Sequence, residues 1–385
     1  MPRKRASTPE TIPPRRAAVI RARLLRWYRA SRRLLPWRER PDPYPVWVAE
    51  VMLQQTRVAT VIPYFDRFIA RFPDAAALAA ADAEEVVALW SGLGYYSRAR
   101  HLHGAARLVM ERHGGRLPAG RAALEALPGI GRYTAGAILS IAFNQEEPIV
   151  DGNVRRLLSR LLLELPGRPV PRRGRGPAAG APASPDVPSA ALLEARARDL
   201  VRGAPPADLN QALMELGALI CRPVSPRCAE CPLQILCGAR RLGLQDRVPA
   251  PRRRAPARRV ERAVALIRDG NRLLLERGGG PGSPDGVWDL PGVLVPPGRS
   301  PKSFLARELR GRSLRVRLGG PVAAVEHSIT WRRIRTTAFE ARLSEPPPAD
   351  TSRLWIERGG LAGVPLSAAA KRILIAAGRP DPAPR

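Results

Sequence analysis

Apolar side chains recur every three to four positions through most of the first 165 residues. The spacing is clear in PVWVAEVMLQQTRVATVIPYFDRFIARF (45–72), DAEEVVALW (82–90) and YTAGAILSIAF (133–143). That period lines one face of an α-helix with apolar groups, and no strand pattern interrupts it between 15 and 165. It lapses in PGRPVPRRGRGPAAGAPASPDVPSA (166–190), which reads as a disordered insertion. It returns in ALLEARARDLV (191–201) and DLNQALMELGALIC (208–221), where Asp208 is a natural N-cap. After the basic, proline-punctuated stretch DRVPAPRRRAPARRVER (246–262) the texture changes. RAVALIRDGNRLLLERG (262–278) predicts a hairpin turning at Asp269–Gly270, and PVAAVEHSIT and IRTTAFEARL predict further strands. The expected architecture is a basic disordered arm (1–16), a mainly α domain (17–240), a linker (241–260) and an α+β domain (261–380).

Composition narrows the class of partner. The 385 residues carry 64 Lys and Arg against 34 Asp and Glu, a net charge of +30. Such a balance points to a polyanion, nucleic acid first. Lysine stands only at 4, 302 and 371, so the charge is nearly all arginine, and a GC-rich genome accounts for part of it. No run of 18 apolar residues occurs, so no membrane span is expected. The opening residues lack an apolar core and do not read as a secretory signal, which places the expected protein in the cytoplasm, near the nucleoid.

All four cysteines fall within CRPVSPRCAECPLQILC (221–237), at Cys221, Cys228, Cys231 and Cys237. Four thiolates at C-x6-C-x2-C-x5-C spacing suit zinc or an iron–sulfur cluster. Zinc usually pairs two CxxC knuckles, and only one is present, so the spacing favours [4Fe–4S]. Upstream, LPGIGRYTAGAIL (127–139) joins two helices through Gly129 and Gly131. Glycine permits positive φ and close backbone approach, and the second helix start favours an anion such as a DNA phosphate.

Two carboxyls stand in opposite surroundings. Glu50, in VWVAEVML, is the only ionisable residue between Tyr44 and Arg57, and Val46, Trp47 and Leu53 lie one turn away. Desolvation is expected to raise its pKa toward neutrality. Asp151, in PIVDGNVRRLLSRLL, starts a helix, where the dipole favours the anion. A neutral acid beside a fixed anion suits cleavage of a glycosidic bond, in which the leaving group is protonated and a cationic sugar is stabilised.

These motifs resemble a known family. The cysteine spacing after NQALMELGALIC and the string LPGIGRYTA resemble the iron–sulfur DNA glycosylases of the endonuclease III superfamily. AEVMLQQTRV, VDGNVRRLLSR and WSGLGYYSRAR resemble the MutY-type adenine DNA glycosylases. The resemblance implies a helix-hairpin-helix domain with a structural [4Fe–4S] loop, in which Arg222 and Arg227 meet the DNA backbone. It implies that Glu50 protonates N7 of adenine and that Asp151 stabilises the sugar at C1′. Tyr133 and Asn153 would then steer these carboxyls, Glu215 would touch the adenine edge, and Arg38 would line the pocket. Gln55 would wedge beside the opposite base. Tyr95, with Leu93, would fill the step vacated by the flipped base, and Tyr96 is expected in the core. Bifunctional relatives carry a lysine where Tyr133 stands, so the resemblance implies a monofunctional enzyme. GVWDLPG (286–292) resembles the Nudix-like domain with which the family recognises 8-oxoguanine. PGRSPKSFLARELRGRSL holds a single glutamate, Glu308, which argues against a metal-dependent pyrophosphatase. The lesion loop corresponds to HSITW, with Thr330 as the hydroxyl donor and Ile329 and Trp331 in place of the family's Phe and His.

The implied partner is double-stranded DNA with A:8-oxoguanine or A:G mispairs, engaged by a monomer in base excision repair. Two other readings stand beside it: a thymine- or oxidised-pyrimidine-directed glycosylase of the same superfamily, and a non-catalytic DNA-binding protein that senses redox state through a cluster.

Overall fold

The structure is a computed structural model and describes residues 11–39, 42–163, 188–250, 258–278, 287–329, 332–347 and 350–378. The arm expected at 1–16 lies largely outside these residues, as do most of the 166–190 insertion, residues 251–257 of the linker, and Thr330 with Trp331. The helical reading of 15–165 holds across the residues described. Ten helices run through it: α1 (Pro14–Ser31), α2 (Pro36–Glu39), α3 (Pro43–Leu53), α4 (Val58–Arg71), α5 (Ala75–Ala80), α6 (Ala83–Trp90), α7 (Ser97–His113), α8 (Arg121–Glu125), α9 (Arg132–Ile141) and α10 (Gly152–Leu161). There follow α11 (Ala190–Val201), α12 (Pro206–Leu219) and the short α13 (Gly238–Arg241). Asp208 is not the cap of α12: the helix starts two residues earlier, at Pro206, and Asp208 sits in its first turn. Proline is preorganised for the first helical position, which is why the start moves there.

The chain forms two compact units, and they do not follow sequence order. One holds residues 1–54 and 116–253, and the other 55–115 and 254–385. The expected 17–240 domain is therefore shared between them. In the first unit the core joins α1 (Ile20, Leu24, Tyr28), α10 (Leu157, Leu158, Leu161), α11 (Leu193, Leu200) and α12 (Leu209, Leu213, Leu216). Gly217 sits where α12 crosses the start of α10; a Cβ there would lie 2.9 Å from the Asn153 carbonyl oxygen.

The second unit contains a sheet of β1 (Arg258–Asp269), β2 (Arg272–Arg277), β3 (Trp288–Asp289), β4 (Gly292–Val295), β5 (Val316–Ile329), β6 (Arg332–Leu343) and β7 (Arg353–Glu357). The order is β3-β2-β1-β6-β5, with β4 on β1 and β7 on β2. Strand β1 runs parallel to β6, while β5 and β6 are antiparallel. The first hairpin turns at Gly270–Asn271 rather than Asp269–Gly270, since Asp269 pairs with Arg272 and Gly270 takes φ 55°. Along β1 the side chains alternate between two cores. Ala263, Ala265 and Ile267 face Leu305 and Leu309 of α14 (Pro301–Gly311), while Val264 and Leu266 face Ala370 and Ile373 of α15 (Ala368–Ala377). A strand buried on both faces reads as an unbroken apolar run, as AVALI does. Helices α4–α7 are tied to this sheet domain. The Ser91 and Tyr96 hydroxyls donate to the Leu366 carbonyl at 3.0 and 3.3 Å, and Arg277 pairs with Glu84.

The α10–α12 crossing makes a stability test. Gly217→Ala is expected to cost about 1–3 kcal/mol through overpacking. Gly104→Ala in α7, where an added Cβ meets nothing within 4 Å, is expected to be neutral or to gain up to about 1 kcal/mol. Urea unfolding of the two variants measures the contrast.

Candidate active site

Helix α3 begins on Asp42, whose carboxylate accepts the Tyr44 N–H at 3.0 Å, with Pro43 at the first helical position. This fixes a helix so apolar that Glu50 has no wet face to occupy. Glu50 is only 6% exposed, and Val46, Trp47, Val48, Ala49, Val51 and Met52 around it are all buried. Helix α3 lies against α9, where Val46 shares a small core with Ala137, Ile141 and Tyr133. The expected helix wall around Glu50 is thus present. Burial pushes the Glu50 carboxyl from its ordinary 4.5 up to about 7. A hydrogen bond with Tyr133 pulls back, the Asp151 charge adds to the rise, and Arg38 opposes it. Tyr133 itself is held well above its ordinary value by burial and by the two carboxyls, so it stays a neutral donor.

Tyr133 owes its place to the glycine turn before it. Gly129 takes φ +78°, a left-handed conformation that few side chains tolerate, and Gly131 is the N-cap residue of α9. No side chain caps that helix, and Gly129 and Gly131 are exposed. The first-turn N–H groups remain available to an anion.

Asp151 is the N-cap of α10 and accepts the Val154 N–H at 2.6 Å and the Asn153 Nδ2 at 2.9 Å. Asn153 is held in turn: Arg156 Nη2 donates to Asn153 Oδ1 at 3.0 Å and to the Gly217 carbonyl at 2.7 Å. Arg156 Nε donates to the Cys221 carbonyl at 2.8 Å. One turn on, the buried Arg160 donates to the Val248 carbonyl at 2.6 Å, the Arg222 carbonyl at 2.7 Å and Cys221 Sγ at 3.3 Å. Sequence reading missed both arginines. Their signal was the i, i+4 spacing in NVRRLLSR, which places them on one face of α10.

Glu215 is 1% exposed, and both its oxygens are engaged. Arg33 donates through Nε at 2.7 Å and Nη2 at 3.1 Å, and Arg38 Nη2 donates at 2.8 Å. Burial pushes this carboxyl up, but the two guanidiniums outweigh it and hold the pKa below 4.5. Arg33 was not foreseen; it is the inner arginine of RRLLPWR. Glu50, Tyr133, Asp151, Asn153, Arg38 and Glu215 all belong to the first unit.

Gln55, Leu93 and Tyr95 belong to the second. Gln55 is exposed at φ 58°, and Tyr95 is 39% exposed at φ 50°. Leu93 is buried at 7%, as is Tyr96 at 3%. Arg98 holds this loop: its guanidinium lies 5.4 Å from the Tyr95 ring centre, and it donates to the Gly94 carbonyl and the Thr56 hydroxyl, both at 3.2 Å. The protruding group here is Tyr95.

The four cysteines ring one pocket floored by Leu157, Leu161, Ile220 and Leu233. Burial pushes the Cys228 and Cys237 thiols up and Cys231 up to about 12, so their thiolates need cationic compensation. Among the described residues no three His, Cys, Asp or Glu side chains converge on a single-ion site. Four cysteine thiols lining one pocket are the donor set that an iron–sulfur cluster takes. Gly238 lets the ring close, since a Cβ there would lie 1.9 Å from the Leu163 carbonyl oxygen. Of the loop arginines, Arg222 is exposed and Arg227 is paired with Glu230.

Residues 48–168 match the HhH-GPD superfamily of base excision DNA repair proteins. The chain is similar to adenine DNA glycosylases, the likeness its motifs imply. It is 46% identical over 241 residues to the adenine DNA glycosylase of Homo sapiens, covering 60% of this chain and 41% of that one. It is 38% identical over 216 residues to that of Buchnera aphidicola subsp. Baizongia pistaciae, covering 56% of each. The chain spans about half the length of the curated relatives it matches. The solved structure of a thermostable thymine-DNA glycosylase superposes with a TM-score of 0.50 at 28% identity, covering 59% of this chain and 97% of that one. No described helix is long and apolar enough to cross a membrane.

The raised Glu50 pKa has a stability consequence. The folded carboxyl keeps its proton to about pH 7, against 4.5 for an ordinary one. The folded state therefore binds more protons across that window, and stability falls as pH rises through it. Glu50→Gln is expected to exceed the wild type by on the order of 3 kcal/mol at pH 8, with the gain gone by pH 4. Parallel unfolding curves at every pH contradict this.

Proposed function

We propose that the protein is a monofunctional adenine DNA glycosylase, removing adenine opposite 8-oxoguanine or guanine. The observation that carries this reading is Glu50: a buried carboxyl with a pKa of about 7, hydrogen-bonded to Tyr133 and close enough to Asp151 to feel its charge. Such a group is half-protonated at neutral pH, the best compromise between holding a proton and giving it up.

In this reading the adenine is flipped out of the stack and its N7 takes the Glu50 proton. The C1′–N9 bond breaks, and its electron pair leaves with the base. Positive charge develops on the sugar, and Asp151, oriented by Asn153 and the α10 N-terminus, stabilises it. Water then adds at C1′ and returns a proton to Glu50. Tyr133, whose hydroxyl donates to Met214 Sδ at 3.3 Å and hydrogen-bonds with Glu50, positions that carboxyl. No amine is available at position 133 to trap the sugar, so the abasic strand stays intact. The Glu215–Arg33–Arg38 cluster presents a charged wall to the purine edge. The α9 start at Gly131 and the exposed Arg222 serve phosphates. Cys221, Cys228, Cys231 and Cys237 would hold a [4Fe–4S] cluster, which when bound would fix the basic loop and supply no bond-breaking chemistry. The α+β domain, Nudix-like in sequence, reads the base opposite the adenine.

The test is a single-turnover assay on duplexes carrying A:8-oxoguanine, A:G, A:T and T:G. Adenine release from the first two is expected, with strand breaks only after alkali. Glu50→Gln is expected to slow release roughly 100-fold or more while duplex affinity stays within about threefold. Release of thymine from T:G, or a borohydride-trapped covalent adduct, sinks the reading.

A further inference from the structure

Two loops of the second unit hold side chains in a backbone conformation that L-residues rarely adopt. Gln55, between α3 and α4, takes φ 58°, and Tyr95, just before α7, takes φ 50°. Among the described residues only five that are not glycine have a positive φ. Such residues persist where their surroundings over-determine them, and they gather at functional sites. Both side chains are exposed, so neither conformation is held by burial of the side chain itself.

One buried group reaches both loops. Arg98 is 7% exposed. Its Nη2 donates at 3.2 Å to the Thr56 hydroxyl, next to Gln55, and at 3.2 Å to the Gly94 carbonyl, next to Tyr95. Its guanidinium lies 5.4 Å from the ring centres of both Tyr95 and Trp90, within cation–π range of each. Its backbone N–H donates to the Tyr95 carbonyl at 2.9 Å. The anchor below is firm: Trp90 is fully buried, packs edge-on against Phe68 and donates from Nε1 to the same Gly94 carbonyl at 3.2 Å. Burial pushes the Arg98 pKa down to about 10, so the group is charged at neutral pH.

A buried cation is costly to desolvate, and an apolar side chain of similar length fills such a site at least as well. Here the charge fixes two exposed, strained side chains instead. Resting on the glycosylase reading above, we infer that Arg98 is a positioning residue for base extrusion, joining Gln55 and Tyr95 into one rigid wedge that enters the duplex as the adenine leaves the stack. Extrusion leaves an unstacked gap, which an aromatic ring can fill. A ring ordered beforehand loses little rotamer freedom on insertion. Arg98 acts through the wedge and touches no reacting atom.

The test reads extrusion apart from stability. The fluorescence of 2-aminopurine, set in the adenine position of a duplex opposite guanine, rises when that base leaves the stack. For the full chain, Arg98→Met is expected to lose most of that rise while unfolding at about the wild-type temperature. Single-turnover adenine release from an A:G duplex at saturating protein is expected to slow roughly 10-fold. Tyr95→Ala is expected to lower both readouts. The Arg98→Met/Tyr95→Ala double variant is expected to lose clearly less than the product of the two single losses, because the arginine acts through the ring. Arg98→Lys, which keeps the charge but not the planar fork, supplies the same cycle should Arg98→Met not fold. An intact fluorescence rise without the guanidinium, or losses that multiply in the double variant, overturns the inference. The two readings fail separately. A rise lost in Arg98→Met, with no adenine release by the wild type, removes only the glycosylase. Wild-type adenine release that Arg98→Met matches removes only this inference.

Discussion

The site depends on keeping water away from one carboxyl. A glutamate in solvent is ionised at neutral pH and has no proton to give. Helix α3 changes that by surrounding Glu50 with buried aliphatic and aromatic groups and pressing the helix onto α9. Desolvation outweighs the opposing pull of Tyr133 and Arg38. The contrast with Glu215 is instructive, because it is at least as buried and yet its pKa falls. Two arginines meet Glu215 directly, while Glu50 has only a neutral phenol as a close partner. The fold therefore sets one carboxyl up as an acid and the other as a permanent anion, by choice of neighbours alone.

The second requirement is that Asp151 stay put opposite that acid. Its orientation comes from a chain of hydrogen bonds that ends in the cysteine loop: Asn153 donates to Asp151, and Arg156 donates both to Asn153 and to the Cys221 carbonyl. Arg160, one turn away, anchors the same loop through its backbone. This geometry gives the cysteine loop a structural bearing on the carboxylate.

Much of this was legible in the chain. The 3.6-residue period gave the helices, because each buries a single stripe. The two carboxyls stood out because their neighbours differ so plainly in polarity. What escaped notice depended on distant partners. Arg156 and Arg160 look like solvated arginines in NVRRLLSR until α12 and the cysteine loop arrive to accept their hydrogen bonds. Arg33 looks like part of a charge run until Glu215, 182 residues later, meets it. The start of α12 and the β1–β2 turn each moved, by three residues and by one, since local signals from Asp208 and Asp269–Gly270 gave way to Pro206 and to strand register. The division into two compact units was also illegible, because α4–α7 bind the sheet domain through single hydroxyls such as Ser91 and Tyr96.

The central claim is that Glu50 carries a proton near neutrality because of where it sits. Carbon-13 NMR of protein labelled at glutamate Cδ reads this directly, with the Glu50 signal assigned by its absence in Glu50→Gln. The account predicts a titration midpoint near 7. A midpoint of about 4 to 5, the range of solvated glutamates, contradicts it.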